Sequence, residues 1–143
     1  MARVTAVTAV LAWANNHATL TGPGKPISLG ALRAQPRSPG QGAYLWVTRI
    51  DGADALIAED AVDQARIAGV IFAGTNEAAE LAATAYANAL AELSGQRTAM
   101  GEAVCLVVDD IVGPQFIDDR AGPRGTEVAY QVDASFFLIN GGT

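Results

Sequence analysis

The sequence predicts an α+β fold, an antiparallel or mixed sheet of about four to five strands with two helices packed on one face. Three observations carry that prediction. Apolar residues recur at helical spacing through 75–95, and apolar and polar residues alternate through 126–140. The strand-like stretches follow one another through turns, as neighbours in an antiparallel or mixed sheet do. The 143 residues suit one domain, 1–143, with one core. Half of them are apolar but 6% are aromatic, so Ala, Val, Ile and Leu do most of the filling.

In chain order, residues 2–16 read as a first helix, with Val4, Val7, Leu11 and Ala14 in a stripe and Val10 and Trp13 beside it. Thr5 and Thr8 lower its propensity, so tertiary contact must hold it. From 17 to 42 the periodicity fails, because four prolines (Pro23, Pro26, Pro36, Pro39) and five glycines break any long element. A short extended piece survives at 27–32. A loop this long is either a cover over one end of the sheet or a partner-contacting segment. Residues 43–50 form a strand by β-branched and aromatic content, and Asp51-Gly52 signals a turn.

Residues 61–73 form the next strand. Its first half is amphipathic and its second half apolar on both faces, as in a central strand covered by a helix. Gly69 inside it marks a bulge or a close helix approach. The second helix follows from Thr75 to Gly95. Thr75 or Asn76 caps it, Glu77 and Glu80 suit its positive end, and Gly95 stops it. Leu81, Tyr86, Leu90 and Leu93 are its expected anchors, with Ala78, Ala82, Ala85 and Ala89 filling the same stripe. Residues 96–101 read as a connection, 102–112 as a strand centred on 104–108, 113–125 as a second long loop, and 126–140 as the final strand.

Strand length points to assembly. A compact chain of this size has a diameter of roughly 37 Å. A strand of thirteen to fifteen residues would run about 44–50 Å. Such strands must bend or project, and a projecting edge invites a second subunit.

Composition removes several function classes. Fifteen acidic and nine basic residues leave a net charge of −6, with no basic face for sequence-specific nucleic-acid binding. No run approaches the roughly 20 apolar residues of a membrane span, and the N-terminus is a weak signal peptide, so a cytosolic product is expected. A lone Cys105 excludes an intrachain disulfide.

No catalytic constellation emerges. His17 is the single histidine, lies at a helix end and has no orienting acid or nucleophile motif beside it. Cys105 sits mid-strand among valines and leucine, where a thiol is an inert small hydrophobe. Gly22-Pro23-Gly24-Lys25-Pro26 lacks the spacing and the hydroxyl residue of a phosphate loop. Asp109-Asp110 and Asp118-Asp119 are the best metal candidates, yet neighbours on a strand point to opposite faces, so a solvated acidic rim is preferred. No zinc ligand set exists.

One likeness supplies a function. The stretch Asp63-Gln64-Ala65-Arg66-Ile67-Ala68-Gly69-Val70-Ile71-Phe72-Ala73-Gly74-Thr75 is followed by an alanine-rich helix containing Tyr86-Ala87-Asn88-Ala89-Leu90. With the closing strand Tyr130-Gln131-Val132-Asp133-Ala134-Ser135-Phe136-Phe137-Leu138 and the amino-terminal helix, this resembles the tail terminator (tail-completion) proteins of long-tailed bacteriophages. What matches is element order and texture over nearly the whole chain.

The resemblance implies a non-enzymatic structural protein without cofactor or metal. It implies a homo-oligomer, a hexameric ring that caps the tail tube protein, ends its polymerisation and joins the tail to the head–tail connector protein. DNA would pass through the lumen without sequence-specific binding. Such a protein is assembled in the host bacterial cytoplasm and resides in the neck of the virion, with no membrane involved. Candidate subunit or partner contacts are Arg33, Arg37, Gln64, Arg66, Asp118, Asp119, Arg120 and Arg124. The alternatives are another neck component, either a head–tail connector or a stopper, and a small ligand-binding α/β domain.

Overall fold

The computed structural model of the chain describes residues 5–36, 42–50, 62–122 and 125–141. Among them the elements run α1 (Ala6–Asn15), β1 (Ala31–Leu32), β2 (Tyr44–Arg49), β3 (Asp63–Ala73), α2 (Asn76–Glu92), β4 (Thr98–Met100), β5 (Ala103–Ala121) and β6 (Glu127–Asn140). The strands form one six-stranded sheet in the order β1-β2-β3-β6-β5-β4. β1 runs parallel to β2, and every other neighbouring pair is antiparallel. The expected α+β class with a mixed sheet therefore holds, but the strands number six, not four to five. The short strands account for the difference. β4 lies within the stretch read as a connection, and three residues are too few to show a period. β1 is the surviving part of the extended piece at 27–32.

Both helices bury their apolar sides in the same core cluster as the inward residues of the sheet. Along β3 these are Ala65, Ile67, Ile71 and Ala73, and along β6 the even-numbered residues from Val128 to Leu138. α1 touches β1 and β2 near one edge of the sheet and β4 at the other, so the sheet curls around it. Asn15 at the end of α1 ties down the β1 edge. Its side-chain amide donates to the Ala31 carbonyl at 3.0 Å and accepts from the Ala31 N–H at 2.7 Å. On the outer face a smaller cluster joins Tyr44, Val70, Phe72 and Ala129.

α2 starts where its cap residue predicts, with the Thr75 hydroxyl accepting from the Ala78 N–H at 3.2 Å. Its buried face is Ala79, Ala82, Ala83, Tyr86, Ala89 and Leu90, with Leu93 just beyond the last turn. Leu81 does not anchor it and is 63% exposed. Residues 81 and 86 are five apart, which turns Leu81 about 140° around the axis from Tyr86. Ala78 is likewise exposed.

Gly69 resolves as a close helix approach. A Cβ there would lie 2.7 Å from Tyr86 Cε2 and 3.0 Å from Leu45 Cδ1. The Tyr86 ring thus lies on the β3 backbone in the space a side chain would take.

The loop expected at 113–125 is mostly strand. β5 continues through Ala121, and its pairing with β6 reaches Ala121↔Glu127. Gly113 and Pro114 interrupt the alternation that signals a strand, yet an edge strand tolerates both at its bulges. The described part of the loop expected at 17–42 is irregular apart from β1 and a bridge between Thr21 and Ile27, and it buries Leu20 and Ile27. It covers the core there. Residues 37–41 and the Asp51-Gly52 turn lie outside the described residues.

Burial sets a pH dependence. Burial pushes the Cys105 thiol up from 9.0 to about 11, partly opposed by hydrogen bonding with the backbone of Val107 and Phe137. Burial likewise raises Tyr86, with the Asp133 charge second. It raises Tyr44 too, reinforced by the charge and hydrogen bond of Glu127. These groups hold their protons in the native state after the unfolded chain has released them. Stability is therefore complete below about pH 9 and falls as pH rises through 9–11, by up to about 1.4 kcal/mol per pH unit for each proton so held. Urea midpoints measured at pH 7.5 and 10.5 should show the loss, and Cys105→Ala should reduce its first part. For the same reason a thiol reagent at pH 8 should label Cys105 only as fast as the protein opens.

Candidate functional site

The longest strand is also the most exposed. β4 pairs with β5 only over Ala103–Cys105, so among the described residues no strand covers the outer edge of β5 from Leu106 onward. From Asp109 to Arg120 every residue is exposed except the half-buried Ile111. Within this stretch Val112 is 44% exposed, Phe116 53% and Ile117 48%, three of the five large apolar side chains exposed among the described residues. Phe116 lies edge-on against Tyr130, with ring centroids 5.6 Å apart. Asp109, Asp110, Asp118, Asp119 and Arg120, all exposed, flank the apolar trio along the strand.

This edge is not a plain template for strand addition. Its pairing with β6 shifts register repeatedly between Cys105 and Ala121, and it carries Pro114 and several charges. Bulges, proline and charge are the devices that blunt an edge against indiscriminate pairing. A partner must therefore meet the segment largely through side chains, and the apolar trio offers the contact area.

Arg66 organises the inner end of the segment. From β3 its Nη1 donates to the Asp110 carbonyl at 2.7 Å and to Ser135 Oγ on β6 at 3.0 Å, with Asp110 Oδ2 at 3.4 Å. At the other end the Tyr44 ring stacks on Phe72 with centroids 4.9 Å apart. The Tyr44 hydroxyl donates to Glu127 Oε1 at 3.2 Å, just where β6 leaves the hairpin turn. Ala121 packs against that cluster.

The residues singled out from the sequence do not form one patch. Asp118, Asp119 and Arg120 are exposed on β5, and Asp118 Oδ1 accepts from the Arg120 N–H at 3.1 Å. Gln64 and Arg66 are half-buried on β3, and Arg66 is engaged within the chain by Asp110 and Ser135. Arg33 is at the far side of the sheet just past β1. Its guanidinium donates to Thr8 Oγ1 on α1, and its carbonyl accepts from Trp46 Nε1 at 2.9 Å. Arg37 and Arg124 lie outside the described residues. Phe116 and Ile117 were missed because their segment reads as a loop, and Val112 because it closes the strand read over 102–112, where exposure leaves no local signal. Two apolar residues so close to an aspartate pair are the signal that could have marked Phe116 and Ile117.

Among the described residues no three or more His, Cys, Asp or Glu side chains gather as a metal site. His17 packs its ring edge-on to Trp13, with centroids 5.6 Å apart, and Cys105 is buried. No described helix is long and apolar enough to cross a membrane. Comparison with known proteins finds no matching family model and no matching curated protein.

Proposed function

We propose that this chain is a tail terminator of a long-tailed bacteriophage, a structural subunit that forms a ring of about six copies on the head-proximal end of the tail tube. The ring ends tube polymerisation and receives the head–tail connector, and DNA passes through its lumen. The observation that carries the proposal is the outer half of β5, where Val112, Phe116 and Ile117 stand exposed along an edge that no other described strand covers. Apolar side chains exposed together along one strand segment are suited to a subunit contact. The net charge of −6 suits a lumen through which DNA slides without sticking. The element order and the alanine-rich helix lying on a central strand add the resemblance already described.

The experiment is to mix the purified chain with tail tube protein and image tube ends by negative stain. Capped tubes of limited length are expected. Replacing Phe116 and Ile117 together by aspartate should abolish the caps while leaving the monomer folded, because both side chains are about half exposed. Tubes that grow unchecked in the presence of the wild-type chain would contradict the proposal.

A further inference from the structure

Past Asp109 the ladder between β5 and β6 is poorly kept. Register shifts fall between Asp109 and Val112, Val112 and Gln115, Phe116 and Asp118, and Asp118 and Ala121. Thirteen residues of β5, 109–121, thus lie against nine of β6, 127–135. Each bulge leaves residues out of the ladder. The two sides also differ in burial. On β6, residues 128–130 and 134–136 are buried and held by β3, whereas the facing part of β5 buries almost nothing of its own. Few buried apolar contacts and solvent-exposed backbone bonds mark a segment that opens at low free energy.

The inner end of the segment has the backbone of a hinge. Asp110 has φ +52°, in the left-handed region that a non-glycine residue rarely adopts. Three residues on, Gly113 has φ +114°, and a Cβ there would collide with the Gln131 carbonyl. One side chain spans this point. The Arg66 guanidinium reaches from β3 across β6, at Ser135, to the Asp110 carbonyl of β5. It fastens the first residue of the hinge to the two central strands.

We infer that the outer half of β5, Ile111–Ala121, is a strap that opens from β6 independently of the rest of the sheet, with its hinge at Asp110–Gly113 and Arg66 as its latch. The strap is tethered at both ends, by the inner half of β5 and by the hairpin turn. It therefore lifts as a loop and does not unravel from a free end. Its opening bares the β6 backbone along Glu127–Ser135 while the helix-covered core stays folded.

Native-state amide hydrogen exchange on the full chain at neutral pH tests the inference, whatever the protein assembles with. Peptides covering 111–121 should exchange at least about tenfold faster than those covering 103–108 and 128–138. Arg66→Ala should speed exchange in 111–121 by a further factor of about ten, since hydrogen bonds to a charged group are lost. Exchange in α2 should stay within about twofold of wild type, because the Arg66 hydrogen bonds described above go to β5 and β6. Should Arg66→Ala fail to fold, Ser135→Ala removes one of the guanidinium's acceptors and should give a smaller increase confined to the same peptide. Exchange of 111–121 in step with 128–138 would overturn the strap. An equal rise in every peptide of the variant would overturn the latch.

Discussion

Replacing Asp63 by alanine is expected to destabilise the protein by about 3 kcal/mol, the lower end of the range for breaking a buried ion pair. Asp63 opens β3 and is 1% exposed. Arg49, near the end of β2, grips it with two nearly parallel bonds, Nη2 to Oδ1 at 2.7 Å and Nη1 to Oδ2 at 2.9 Å. The carboxylate has given up its water for this fork, and its removal leaves a guanidinium only 20% exposed without its partner in the pair. The lower end of the range applies because that exposure lets water reach part of the charge. Urea unfolding of the variant beside wild type measures the loss. Asp119→Ala, an exposed aspartate on β5, should stay within about 0.5 kcal/mol and serves as the control. Equal midpoints for the two variants would mean that the Arg49–Asp63 pair does not close that end of the core.

Gly69→Ala should cost about 2–3 kcal/mol by overpacking. The added methyl meets a ring that cannot retreat, since Tyr86 is fully buried between β3 and the body of α2. Shortening the ring should relieve the clash, so Tyr86→Leu should cost less in the Gly69→Ala background than in wild type. Independent, additive effects of the two changes would contradict the packing described. Tyr86→Phe separates the ring from its hydroxyl. That hydroxyl is buried with no hydrogen-bond partner among the described residues, so its loss should stabilise by about 1 kcal/mol or leave stability unchanged.

The same pair shows how far the sequence can be read. A glycine among Ala68, Val70 and Ile71 leaves two readings, a bulge or a close helix approach, and the Tyr86 ring 2.7 Å from a Cβ at Gly69 decides for the second. The cap, read as Thr75 or Asn76, and the core strands β2, β3 and β6 were legible because alternation and capping are local. The helix face was less so. Counting Leu81 with Tyr86, Leu90 and Leu93 follows side-chain size, whereas the axis turns about 100° per residue and places the smaller Ala79 and Ala83 inward.

β5 was the largest misreading. Gly113, Pro114 and the paired aspartates look like a loop, and only the pairing partner reveals a bulged edge strand. The Arg66 latch was invisible for a related reason. It joins residues 44 and 69 positions away from Arg66, and no local pattern links them. Of the candidate contacts, Asp118, Asp119 and Arg120 fall beside the exposed apolar trio, while Arg66 is engaged in holding the edge in place and Arg33 lies across the sheet.

The proposal that this edge serves assembly is tested most directly by the mass of the particle in solution, with and without tail tube protein, by light scattering. With tube protein present, about six copies per tube end are expected for wild type, and none for the Phe116→Asp, Ile117→Asp double variant. A wild-type chain that stays monomeric and unbound beside tube protein, or that gains mass only with a head-side ring, would contradict it.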